Sequence, residues 1–142
     1  IIQHEFSVDP AKGDETGGRM TIMAAGGGVA ANIDRWVSQF KDSAGGPIDD
    51  DAKQVEKKKI GDVTVHVVDL QGDFQDSPRG PFGPKINRPG YRMLAAIIPL
   101  SDVARQQGGG TWFIKLYGPK ATIKAAEKSF ATMVGGVQLA PQ

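Results

Sequence analysis

The stretch "TWFIKLYGPKATIKAAEKSF", residues 111–130, decides the fold, because it turns one strand directly into one helix across Gly118-Pro119-Lys120. Up to Tyr117 the apolar content is high enough for a strand. After Lys120 the apolar residues Ile123, Ala126, Phe130, Met133, Val134 and Val137 fall on one helical stripe. A glycine and a lysine at a helix mouth also raise the question of a phosphate cradle. Such a cradle needs G-x-x-x-x-G-K-[ST], so that successive backbone N–H groups surround the phosphate. Here there is one glycine, and Pro119 removes a donor where donors are required. Proline at a helix start is instead a corner signal, since the first-turn N–H groups have no intrahelical partner.

Working outward, the same two periods recur. Ile2, His4, Phe6 and Val8 alternate with Gln3, Glu5 and Ser7, and Arg19 to Ala25 form a second strand across the turn Asp14-Glu15-Thr16-Gly17-Gly18. From Val29 the period becomes helical: Val29, Ile33, Trp36, Val37 and Phe40 share a face, and the helix is expected to end near Lys41. Gln54–Ile60 and Val63–Leu70 flank Gly61-Asp62 as a hairpin. Tyr91–Leu100 and Thr111–Tyr117 are apolar strands joined through Ser101 to Gly110. The order β-β-α-β-β-β-β-α lacks the strand–helix alternation of a doubly wound parallel sheet. It predicts a single α+β domain over residues 1–142, an antiparallel β-sheet of about six strands carrying two packed helices. Between strands, "QGDFQDSPRGPFGPKINRPG" (71–90) reads as a long Pro/Gly-rich loop of the kind that is often functional.

Composition narrows the function classes. At 142 residues and 15.1 kDa the chain can bury one core without disulfides or metals. The net charge of +1 gives no global attraction to nucleic acid or membrane. The charge is uneven, however: residues 1–51 carry a balance of −5 and the remainder +6. The absence of cysteine excludes thiol catalysis and thiolate-bound zinc or iron–sulfur clusters. No apolar run approaches the ~20 residues of a membrane helix. A chain opening on Ile1 rather than methionine predicts processing or a longer reading frame, in which an upstream leader or lipid-anchor segment would be found.

Each cluster of suggestive residues has a structural alternative. Gly26-Gly27-Gly28 precedes a helix, yet lacks a G-x-G-x-x-G pattern and reads as a tight strand-to-helix turn. Asp49-Asp50-Asp51 has neither the alternate spacing nor the central glycine of a calcium loop, so it reads as a solvated loop and no metal site is expected. His4 and His66 sit in strand patterns without a partner motif, and no catalytic residue selects itself. Lys57-Lys58-Lys59 lies in a strand, where alternation divides the charge between two faces. Trp112 and Phe113 read as core rather than as base-stacking residues, so nucleic acid is not an expected partner. The segment "PRGPFGP" (78–84) has the proline spacing that polyproline grooves read, or is a stiff loop with low unfolded entropy.

"GGGVAANIDRWVSQF", "GYRMLAAIIPL" and "TWFIKLYGPKATI" together resemble a group of small, mostly uncharacterised bacterial proteins related to the PsbP-like α/β sandwich domains. The likeness runs from about Phe6 to Val137. Its most telling residues are Asn32, Arg35, Trp36, Gln39 and Phe40, then Gly90 to Leu94, then Phe113, Lys115, Gly118 and Pro119. The resemblance implies an antiparallel sheet with helices on its faces. It also implies export (periplasmic, and in lipoprotein relatives lipid-anchored) and a non-catalytic role as an accessory or adaptor protein docking on a larger, membrane-associated complex. No cofactor and no catalytic residue carries over. The expected partner contacts are Phe74, Arg79, Phe82, Lys85 and Arg88 in the Pro/Gly-rich loop. The alternative is a small-ligand-binding domain with Trp36, Tyr91 and Arg92 lining a cleft between sheet and loop. A further alternative is an enzyme whose carboxylates assemble only in space.

Overall fold

Residues 2–99 and 111–136 are described by the computed structural model. Their strands are β1 (Ile2–Val8), β2 (Gly18–Ala25), β3 (Phe40–Lys41), β4 (Lys53–Ile60), β5 (Val63–Asp76), β6 (Ile86–Ile98) and β7 (Thr111–Pro119). The helices are α1 (Val29–Ser38) and α2 (Lys120–Gly135), with a 3-10 turn at Asp50–Ala52. All strand pairs are antiparallel, in the order β1-β2-β7-β6-β5-β3, and β4 pairs with β5 beside β3. The expected α+β architecture is therefore present, with the two-residue β3 as an added strand. Among the described residues no helix is long and apolar enough to cross a membrane.

Strand alternation places one helix on each face of the sheet. On β6, Met93, Ala95 and Ile97 join Trp36, Phe40, Val68, Leu70, Phe74 and Phe113 in the core beneath α1. Leu94, Ala96 and Ile98 point the other way and join Val63, Val65, Ile114, Leu116 and, from α2, Ile123, Phe130 and Val134. An apolar run such as Met93–Ile98 is what a strand covered on both faces requires. The non-alternating sequence of β6 thus encodes its central position.

The corner at residues 118–120 is structural. Gly118 and Pro119 still pair with Arg92 and Tyr91 in the sheet, and α2 begins at the next residue. The positive end of that helix is occupied by the protein's own anion. Asp14 Oδ2 accepts from the Thr122 backbone N–H at 3.1 Å and from the Thr122 hydroxyl at 2.6 Å. The Thr122 oxygen in turn accepts from the Ala11 N–H at 3.0 Å. The β1–β2 turn is thereby tied to the helix start, where a carboxylate complements the helix dipole. Gly118 is needed for its size, because a Cβ there would lie 2.8 Å from Gly18 Cα. Gly118→Ala is expected to force β2 and β7 apart locally and to cost ~1–3 kcal/mol, measured by chemical denaturation. Gly135→Ala, where an added Cβ meets nothing within 4 Å, is the milder control.

Two expectations are corrected. Helix α1 stops at Ser38, and Phe40–Lys41, read as its end, pair with Phe74 and Asp73. The supposed twenty-residue loop is mostly sheet: Gln71 to Asp76 pair with Arg92 to Ile86, leaving 77–85 as the connection. Proline and glycine are tolerated there because a bulge at Gly72–Phe74 takes Pro89 out of the register. Gly72 has φ +151°, and its Cβ would stand 2.7 Å from the Lys41 carbonyl oxygen. The expected turn through Ser101 to Gly110 and the stripe residue Val137 lie outside the described residues.

Candidate functional site

The β5–β6 ribbon ends in two successive tight turns, in which the Gly80 N–H donates to the Ser77 carbonyl at 3.0 Å and the Gly83 N–H to the Gly80 carbonyl at 3.1 Å. Pro78, Pro81 and Pro84 stiffen this tip. Phe82 stands at its end with full exposure (102%). Arg79 and Lys85 are also exposed, and Ile86 is 42% exposed just below them. Arg88 is half-buried, its Nε 3.3 Å from Asp76 Oδ2 across the ribbon.

Phe74 does not belong to this surface. It is 6% exposed, stacked against Tyr91 with centroids 6.0 Å apart and packed on Phe40 and Tyr117. Its role as a partner contact is withdrawn, because the strand continues past Leu70 and alternation turns Phe74 into the core. Buried there, it roots the ribbon in the domain.

Trp36, Tyr91 and Arg92 do not form one cleft. Trp36 is 1% exposed and meets Phe113 edge to face at 5.8 Å. Tyr91 borders a cleft of about 340 Å³ at the ribbon base, together with Arg19, Asp76, Arg88 and Tyr117. Arg92 points to the opposite face, as expected of neighbours in a strand. It lines a groove of about 610 Å³ between α2 and β4–β6, floored by Ile60, Val67, Leu94, Phe130 and Val134. Its guanidinium is committed to carboxylates: two bonds of 3.0 and 2.8 Å to Asp69, and one of 2.9 Å to Glu127. The Asp69 and Glu127 bonds outweigh burial and hold Arg92 protonated above the ordinary arginine range.

On the α1 face a second charged row crosses the sheet. Arg19 Nε lies 2.6 Å from Glu5 Oε1, and Arg19 donates to the Tyr117 hydroxyl at 2.7 Å. The hydrogen bond to Arg19 holds the Glu5 carboxyl below its usual value, while burial raises the Tyr117 phenol. Beside this row sits Lys115, a residue the sequence reading passed over as a site. Its Nζ is 5.7 Å from the Trp36 ring centroid and 5.9 Å from that of Tyr117. The overlooked signal was aromatic residues two before and two after a strand lysine, Phe113 and Tyr117, which place the amine on a ring-lined face.

The other suspected sites have structural roles. The Asn32 side-chain N–H donates to the Gly28 carbonyl at 2.8 Å, and Gly27 has φ +95°, so the glycine triplet makes the turn into α1. Asp50 pairs with Lys53 at 3.3 Å. Burial, and then Lys57, lower the His66 imidazole below its ordinary range. Among the described residues no three His, Asp or Glu side chains gather as metal ligands. Compared with protein-family models, with curated proteins and with solved structures, the chain matches none.

Proposed function

We propose that this chain is a non-catalytic accessory or adaptor domain of the PsbP-like kind, docking on a larger protein complex through the β5–β6 tip. The observation that carries the reading is Phe82: a large aromatic ring wholly in water, on a proline-stiffened ribbon rooted by buried Phe74. Aromatic residues, phenylalanine among them, and arginine are enriched at protein interfaces. A stiff tip has little conformational entropy left to lose on docking. Exposed Arg79 and Lys85, flanking the ring in sequence, favour a partner surface with an apolar pocket rimmed by acidic groups, whereas Arg88 is held by Asp76 at the ribbon base. The antiparallel sheet with a helix on each face supports the likeness to the PsbP-like sandwich, and the extracytoplasmic, membrane-associated setting rests on that likeness.

The test is native electrophoresis of gently solubilised extracts containing tagged protein. The wild type is expected in a slowly migrating assembly. Phe82→Ser is expected at monomer mobility with an unchanged melting temperature, since the ring contributes no packing. Co-migration of the variant with the wild type would reject the tip as the docking element.

The groove beneath α2 favours a second reading, a small-ligand site for an elongated apolar molecule. Its floor is apolar and its volume lies in the range of ligand pockets. Ala131→Trp should fill the groove and abolish any stabilisation that a fatty acid confers on the wild type in a thermal-shift assay.

A further inference from the structure

We propose that Lys115 is an acylation site, its Nζ attacking small activated acyl donors of the acyl-phosphate class in preference to the other lysines. The placement is unusual for a lysine. Lys115 lies mid-strand on β7, opposite buried Thr21 on β2 and buried Ala95 on β6. Its face carries Phe113 and Tyr117, and Trp36 from α1 lies over it. Among the described residues, no carboxylate lies within ion-pairing distance of its amine.

The charged groups facing it are cations. Arg35 comes from α1 and Arg19 from β2, and both repel a protonated amine. Glu5 on β1 is engaged by Arg19, and Asp76 on β5 by Arg88. The remaining titratable neighbour is Tyr117, whose hydroxyl accepts from Arg19. Burial first, then Arg35 and Arg19, draw the amine down to about 8. Desolvation beside other cations is how lysine is made a nucleophile at ordinary pH. At pH 8 a larger share of this amine is neutral than of a lysine of ordinary pKa, which favours it as the nucleophile.

The reaction balances without a further reagent. The amine lone pair attacks the acyl carbon, the C–N bond forms, and the C–O bond to phosphate breaks. Phosphate leaves with the electron pair, and the surplus amine proton passes to it or to water. The product amide is neutral, so it no longer meets the repulsion of Arg19 and Arg35. Because the amine is half-buried among rings, small donors reach it better than bulky ones.

The experiment is trace labelling of the folded protein with acetyl phosphate at pH 8, read by peptide mass spectrometry. Lys115 is expected to be acetylated at least tenfold faster than exposed Lys124 and Lys128. Labelling no faster than at those two overturns the proposal. Arg35→Gln, at an exposed position of α1 where the guanidinium donates to Asn32 Oδ1 at 2.8 Å, removes one repelling charge. It is expected to slow labelling of Lys115 at pH 8 several-fold and to shift its pH–rate midpoint upward. An unchanged profile in that variant would equally contradict the account.

Discussion

Trp36→Ala is expected to lower unfolding stability by ~3–5 kcal/mol, the range for truncating a fully buried large aromatic residue. Trp36 is 1% exposed, meets Phe113 at 5.8 Å and covers Lys115. Helix α1 is only ten residues long, so packing rather than propensity must hold it on the sheet. Removing the ring therefore weakens the helix attachment as well as opening a cavity. Since domains of this size are stable by roughly 5–15 kcal/mol, the variant should stand near its unfolding threshold. Urea denaturation checks this against Val37→Ala, a half-buried neighbour expected to lose far less. Equal losses would show that Trp36 is not the keystone of the α1 layer.

Lys115→Met should act in the opposite direction, stabilising the protein at neutral pH by at most ~3.5 kcal/mol, at about 1.4 kcal/mol for each pKa unit of the fall from 10.5 to about 8. The sign follows from proton linkage. The folded-state value is about 8 and the unfolded value is near 10.5. Between them the unfolded chain binds more protons, so wild-type stability rises as pH climbs from about 8 to 10.5. Below pH 8 the penalty is fully present, and methionine, unbranched and apolar, avoids it. The advantage of the variant should fade across that window. Denaturation midpoints at pH 7, 8, 9 and 10 give the test. A variant less stable than wild type at every pH would mean that the cation–π contacts with Trp36 and Tyr117 outweigh desolvation.

Much of the fold was legible in periodicity. The switch at Gly118-Pro119 from strand to helix, the Gly61-Asp62 hairpin and the stripe through Ile123, Phe130 and Val134 all follow from local pattern. The extension of β5 and β6 did not, because Pro89 and Gly72 mark breaks locally, and only the cross-strand bulge reveals how the ladder absorbs them. The same misreading placed Phe74 on a surface. For the candidate tip, Arg79, Phe82 and Lys85 lie exposed where a loop was read. Trp36, Tyr91 and Arg92 were grouped by residue type alone, and alternation sends adjacent Tyr91 and Arg92 to different faces. Asp14 at the start of α2 was beyond reach, since a capping carboxylate 108 positions away in sequence leaves no local trace.

Site-specific photo-crosslinking in the native setting tests the docking tip most directly. A crosslinking amino acid at position 82 is compared with one at position 55, where Val55 is 49% exposed on the β4 strand. Docking through the tip predicts one discrete adduct from position 82 and none from position 55. No adduct at 82, or the same adducts from both positions, would contradict it.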